Sequence, residues 1–177
     1  SALKELQIPQ EGEMFGRVPN PPPPGAERNP TFDEIKDLVI DLKKRGKKIV
    51  FTNGCFDILH VGHVKYLEEA KSFGDVLILG LNSDESVTSL KGEGRPINPQ
   101  MDRAYILAAL EPVDYVVIFS EDTPYNLIKL IKPYTLVKGG DYEGKEVTGQ
   151  DIADELKLVQ FFDGKSTSQT IERILES

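Results

Sequence analysis

The chain has a single cysteine, Cys55, so no internal disulfide can hold it together. Its stability must come from a packed core, and a reducing, cytoplasmic setting is expected. No apolar run approaches the length of a membrane span and no secretory leader pattern is visible, so no membrane partner is expected. Lysines and arginines form no stripe, and the formal net charge is −8. Binding to a phosphate backbone needs clustered cations, so nucleic acid is not expected as a main partner. The G-x-x-x-x-G-K-[ST] pattern is missing, which argues against a P-loop kinase or GTPase. G-x-G-x-x-G is missing after the first strand, which argues against a dinucleotide-dependent oxidoreductase. No cluster has structural-zinc character, so no resident metal site is expected. There is no internal repeat.

At 177 residues the chain is long enough for one substantial core. Residues 1–30 read as an arm apart from the domain at 31–177, because Pro19-Asn20-Pro21-Pro22-Pro23-Pro24-Gly25 favours extended polyproline II over packing. Thr31-Phe32-Asp33-Glu34 is a capping box, and Ile35, Leu38, Val39 and Leu42 share one helical face. Strands and helices then alternate. Strands are expected at 48–52, 75–82, 114–119, 135–138 and 158–162. Helices are expected at 62–73, from the Asn98 cap and Pro99 to 110, and from Thr123-Pro124 to about 132. A last helix follows the Ser166-x-x-Gln169 capping box, with Ile171, Ile174 and Leu175 inward. This alternation implies an α/β, Rossmann-like three-layer sandwich with a five-stranded parallel sheet, whose ligands sit at the carboxyl ends of the strands.

Both histidines, His60 and His63, fall in Asn53-Gly54-Cys55-Phe56-Asp57-Ile58-Leu59-His60-Val61-Gly62-His63, between a strand and a helix start. A helix N-terminus offers unpaired N–H groups and partial positive charge to an anion. Two imidazoles on the same turn add donors for phosphate oxygens, and Gly62 lets a base or ribose approach the backbone. The pattern suits nucleotidyl transfer, in which the α-phosphorus is attacked in line and pyrophosphate leaves. Lys91 and Arg95 flank two glycines in a loop able to close over a triphosphate; alone, they also fit a solvated loop. Arg103, on the next helix, could reach the same pocket or pair with a nearby acid. Asp57 could hold magnesium or orient His60. Lys138-Gly139-Gly140-Asp141 and Ser166-Thr167-Ser168 follow later strands and offer further phosphate and base contacts.

These stretches, with Leu81-Asn82-Ser83-Asp84 and Lys91-Gly92-Glu93-Gly94-Arg95-Pro96, resemble the cytidylyltransferase-like nucleotidyltransferase superfamily. Within it they are most similar to the D-glycero-β-D-manno-heptose 1-phosphate adenylyltransferases, in family order over roughly residues 33–175. The resemblance implies ATP and a sugar 1-phosphate as substrates, with Mg²⁺ carried in by ATP. It implies that His60, His63, Lys91 and Arg103 serve catalysis. Cys55, Phe56, Gly62, Lys138, Gly140, Asp141, Ser166 and Thr167 would contact the nucleotide. Asp57, Asn82, Asp84 and Arg95 would face the sugar phosphate. It also implies a homodimer. A kinase domain precedes this one in the bifunctional form, so a separate sugar kinase is expected to supply the sugar 1-phosphate. Two alternatives stay open at this point: CTP with glycerol 3-phosphate or another phosphorylated polyol, and a non-catalytic nucleotide sensor.

Overall fold

The computed structural model describes residues 15–16, 30–140, 145–160 and 167–176. Helix α1 (Phe32–Lys44) starts where the capping box predicts, with the Thr31 side chain accepting the Glu34 N–H at 3.3 Å. It presents Ile35, Val39 and Leu42 to the core. Strand β2 (Ile49–Gly54) leads to α2 (Val61–Ser72), and β3 (Val76–Asn82) to α3 (Asp84–Lys91). Helix α4 (Gln100–Ala108) precedes β4 (Tyr115–Phe119), and α5 (Tyr125–Ile131) precedes β5 (Thr135–Gly139). The described chain ends with β6 (Glu155–Val159) and α6 (Thr167–Glu176).

Five strands run parallel in the order β4-β3-β2-β5-β6, the expected α/β three-layer architecture. A two-residue strand from the arm, β1 (Phe15–Gly16), adds an antiparallel pairing on the β4 edge. The chain moves outward through β2, β3 and β4, then returns to the other side of β2 for β5. The order therefore reverses between β2 and β5, the place where open parallel sheets leave a ligand crevice.

Strand side chains alternate between the faces, and each face carries its own core. Val50, Leu77, Leu79, Val116 and Val137 pack with Tyr66 and Leu67 of α2 and Leu107 of α4. Phe51, Ile78, Val117 and Leu136 pack with Ile35 and Leu42 of α1 and Ile128 of α5.

The structure departs from the sequence expectations in four places. Residues 84–91, to which no helix was assigned and whose last residue was read as the start of a loop, form α3, because Ser83 accepts the Ser86 N–H and caps a new helix. Asn98 does not cap α4. Pro99 is the N-cap and makes no side-chain cap bond, while Asn98 is bonded to Asp57 instead. The last strand begins at Glu155, earlier than expected, and residues 161–162 of its expected span lie outside the described residues. In α6, Ile174 and Leu175 are not inward; they are 62% and 78% exposed. Their spacing places them on one stripe, but the helix does not lay that stripe on the sheet: residues 155–158 of β6 are exposed too.

Candidate active site

The turn after β2 is tightly built. Phe56 adopts φ 45°, a left-handed conformation that a bulky side chain rarely takes, and its ring is buried in the α2/α4 core. Gly54 makes room for it, since a Cβ there would lie 2.8 Å from the Phe56 ring. Phe56 also packs against His63, with ring centroids 5.6 Å apart.

His60 is the N-cap of α2, and the two histidines form a reciprocal cap. His60 Nδ1 accepts the Gly62 N–H at 3.0 Å, and His63 Nδ1 accepts the His60 N–H at 3.2 Å. Because each Nδ1 is an acceptor, each neutral ring carries its proton on Nε2. The rings lie 4.0 Å apart between centroids. Burial, followed by repulsion from His60, holds the His63 pKa down to about 4. At neutral pH, His63 is thus a neutral Nε2–H donor at a helix N-terminus. Beneath the turn, Thr52 Oγ1 donates to the Val137 carbonyl at 3.0 Å and sits 2.7 Å from the Tyr66 hydroxyl. This buried network seats α2 at one depth on β2 and β5.

Arg103 is 1% exposed and holds the carboxyl ends of the strands together. Nε donates to the Asn98 carbonyl at 2.9 Å, and Nη1 donates to the Cys55 and Asn82 carbonyls, both at 2.8 Å. Nη2 pairs with Asp84 Oδ1 at 2.8 Å. The planar fork suits this work, spanning the β2 turn, the end of β3, the start of α3 and the approach to α4. The arrangement makes Arg103 a positioning residue.

Asp57 is buried and completes the frame. Its carboxylate accepts the Ile97 N–H at 2.6 Å and the Asn98 N–H at 2.8 Å, with Arg95 Nε 3.6 Å away. It staples the histidine turn to the segment before α4, and its bonding neither reaches His60 nor suits a metal ligand. Asn82 donates to Ser86 Oγ at 2.8 Å. Lys91 ends α3, exposed, where Gly92 closes the helix. Burial raises the Cys55 pKa, and the charges of Lys91, Arg103 and Arg95 pull it back down. Those three cations therefore lie close enough to Cys55 to act on its charge.

Lys138, at the end of β5, is 9% exposed and donates to Asn53 Oδ1. Gly140 follows at φ 97°, its N–H on the Val159 carbonyl at 3.1 Å. Asp141, Ser166 and the Thr167 side chain lie outside the described residues. Fold and motif thus bring His60, Gly62, His63, Cys55, Phe56, Asp57, Asn82, Asp84, Lys91, Arg95 and Arg103 to one end of the sheet. Asn53 and Asn98 also belong to this frame and were assigned no site role from sequence. Asn53 stood inside the histidine motif, and Asn98 carried the signature of a helix cap.

Among the described residues, no group of three or more His, Cys, Asp or Glu side chains could hold a metal. A divalent ion bound to a triphosphate needs few dedicated protein ligands, so the site fits one that arrives with the nucleotide.

The sheet order and the reciprocal histidine cap define an α/β domain with its histidine turn at the carboxyl end of a parallel sheet. A family model described as cytidylyltransferase-like matches residues 51–172, and the chain belongs to that family. Among particular relatives, it is 77% identical over 147 residues to the bifunctional protein HldE of Aliarcobacter butzleri (strain RM4018), covering 83% of this chain and 31% of that one. It is 58% identical over 150 residues to the bifunctional protein HldE of Geobacter metallireducens (strain ATCC 53774 / DSM 7210 / GS-15), covering 82% and 31%. The chain spans about a third of the length of the curated relatives it matches. The solved lipopolysaccharide core biosynthesis protein from Thermoplasma volcanium GSS1 superposes with a TM-score of 0.56 at 26% identity, covering 67% of this chain and 100% of that one. Pantoate-beta-alanine ligase from Francisella tularensis shares the fold, with a TM-score of 0.54 at 18% identity over 83% of this chain and 78% of that one.

Proposed function

We propose that this domain is an adenylyltransferase that joins ATP and D-glycero-β-D-manno-heptose 1-phosphate into ADP-heptose and pyrophosphate, for the lipopolysaccharide core. The observation that carries the reading is the reciprocal His60–His63 cap, which commits both Nδ1 atoms to the backbone and so makes both Nε2 atoms N–H donors at a helix N-terminus. An oxygen of the sugar phosphate attacks the α-phosphorus in line. A new P–O bond forms, the α–β bridging P–O bond breaks, and the pair of electrons leaves with pyrophosphate. The sugar phosphate is already ionised near neutral pH, so no strong general base is required. The histidines stabilise charge that grows on the phosphate oxygens, and a phosphate beside His63 favours its protonated form.

In this reading Cys55, Phe56, Gly62 and Gly140 contact the nucleotide through backbone, with Asp141, Ser166 and Thr167 completing that side. Lys91 and Arg95 neutralise phosphate charge from the segment joining α3 to α4. Arg103 and Asp57 hold this frame in register, and Asn82 and Asp84 border the acceptor. Mg²⁺ enters as the ATP complex and offsets triphosphate charge. A sugar kinase supplies the heptose 1-phosphate, and the reaction belongs in the cytoplasm, with the chain acting as a homodimer. No helix among the described residues is long and apolar enough to cross a membrane.

The identity to the bifunctional protein HldE favours the heptose acceptor. The family's cytidylyltransferase-like description keeps CTP with glycerol 3-phosphate as the second reading. Pyrophosphate release with a panel of triphosphates and phosphorylated acceptors tests both. ATP with heptose 1-phosphate is expected to be used far better than any CTP pair. Preference for CTP or for glycerol 3-phosphate would overturn the heptose assignment.

A further inference from the structure

The sheet separates Lys138 from the histidines. Phe51 and Leu136 belong to the core under α1 and α5, whereas Val50 and Val137 belong to the core under α2 and α4. Side chains alternate along a strand, so Asn53 and Lys138, two residues beyond Phe51 and Leu136, share the α1/α5 face. The register Val50↔Thr135 and Phe51↔Leu136, carried forward, sets Asn53 beside Lys138, and their hydrogen bond agrees. Helix α2, which carries His63 and is capped by His60, packs on the other face.

The chemistry of the pair is specific. A lysine ammonium only donates, so it must take Asn53 Oδ1, which leaves the Asn53 amide NH₂ as a donor. Among the described residues, the hydrogen-bond partner of Lys138 is this neutral carboxamide; no carboxylate is hydrogen-bonded to it, and a phosphate is a suitable counter-charge. Burial pulls the Lys138 pKa down to about 8. Beside Asn53 in the sheet lies Gly80, which makes room for the Phe51 ring, since a Cβ there would sit 2.7 Å from it. In-line displacement puts nucleophile and leaving group on opposite sides of the phosphorus. With the triphosphate on the histidine side, a cation across the sheet edge is placed to meet the acceptor.

We propose that Lys138, held by Asn53, binds the phosphate of the acceptor sugar, on the face of the sheet edge opposite the histidine pair. This moves Lys138 from the nucleotide side, where sequence resemblance put it. The proposal rests on the adenylyltransferase reading above, and Asn53 acts in it as a positioning residue.

The test measures initial rates of pyrophosphate release with each substrate varied against saturating partner. Lys138→Met should raise KM for the sugar phosphate at least tenfold and leave KM for ATP within about twofold. Lys138→Arg should recover part of the loss. Asn53→Asp, which sets a carboxylate beside the lysine, should also raise the sugar-phosphate KM selectively. A rise confined to the ATP KM would return Lys138 to the nucleotide side. Unchanged KM values with a lowered Tm would make the pair purely structural. Both results overturn the proposal. Lys138→Met removes a desolvated charge and should fold; if it does not, Asn53→Asp carries the same measurement. Calorimetry with the sugar phosphate alone reads the position without turnover. Binding lost in Lys138→Met and kept in His63→Ala supports it, and the reverse overturns it. Should wild type prefer another phosphorylated acceptor, the heptose reading falls, and the KM split on that acceptor still decides the role of Lys138.

Discussion

At the amino end of the sheet, Asp75 accepts the Lys48 N–H at 2.8 Å, while Asp114 accepts the Leu77 N–H at 2.8 Å and pairs with Lys71 of α2. At the carboxyl end, Asp57 accepts the N–H groups of Ile97 and Asn98. The bonds are chemically alike, a carboxylate on backbone N–H. What they join differs. Asp75 and Asp114 tie the starts of neighbouring strands that parallel pairing already holds. Asp57 ties two segments that share no ladder, and one of them carries the histidines. The same bond is therefore a source of stability at one end and of position at the other. Each prediction below loads that contrast.

The largest effect belongs to the reacting groups. His60→Ala or His63→Ala should lower kcat by roughly 10²-fold or more, with a smaller change in nucleotide KM, as for loss of a transition-state donor. Near wild-type turnover in either variant, by steady-state pyrophosphate release, would remove the basis of the proposed mechanism. Next comes Arg103, which is buried and serves both stability and position. Arg103→Met leaves its acceptors unpaired and should cost about 3–5 kcal/mol in denaturant unfolding. Arg103→Lys keeps the charge but loses the fork, so it should retain more stability than Arg103→Met and still turn over at least about tenfold slower. Wild-type kcat in Arg103→Lys would reduce the residue to a structural one.

The carboxylates give the sharpest comparison. Asp57→Asn and Asp114→Asn should each cost about 2 kcal/mol, the scale of a hydrogen bond to a charged acceptor. At this chain length that is roughly 4–8 °C in Tm. Only Asp57→Asn should also lower kcat, by about tenfold, measured well below both melting points. Equal kcat values in the two variants would erase the distinction between the ends.

The effect with no direct bearing on turnover is on acid stability. The folded pKa of His63, about 4, lies below its ordinary value of 6.5, with burial as the main cause. Between those values the unfolded chain binds more protons, so the contribution of His63 is lost as pH falls from about 6.5 towards 4. His63→Gln can keep the backbone cap bond without titrating. The fall in Tm between pH 7 and pH 4.5 should be shallower in His63→Gln than in wild type. Parallel slopes would show that His63 is not the titrating group.

Much of this was legible without coordinates because it is local. Thr31 and Glu34 are three residues apart, and their cap formed as read. Alternating apolar runs placed the parallel strands, and His-x-Gly-His marked the turn that the fold puts at the ligand end. The departures have one cause. Asn98 has a cap's sequence signature, yet its N–H and side chain go to Asp57, 41 residues earlier. Arg103 was expected to reach the pocket or pair with a nearby acid; it pairs with Asp84, and only the fold shows that it also reaches Cys55, 48 residues away. In α6, periodicity said which residues share a stripe and could not say what that stripe would meet.

The sequence by itself determined the parallel strands, most of the helices and their order, the Thr31 cap and the histidine motif, since these follow from periodicity and contacts within a turn or two. Only the tertiary structure decided that His60 and His63 use their Nδ1 atoms on the backbone, that Arg103 is buried among three carbonyls, and that Lys138 meets Asn53 across 85 residues on the face away from α2. Those outcomes depend on which strands become neighbours and in what register. Residue spacing carries periodicity along each strand but does not record the order in which the sheet assembles them.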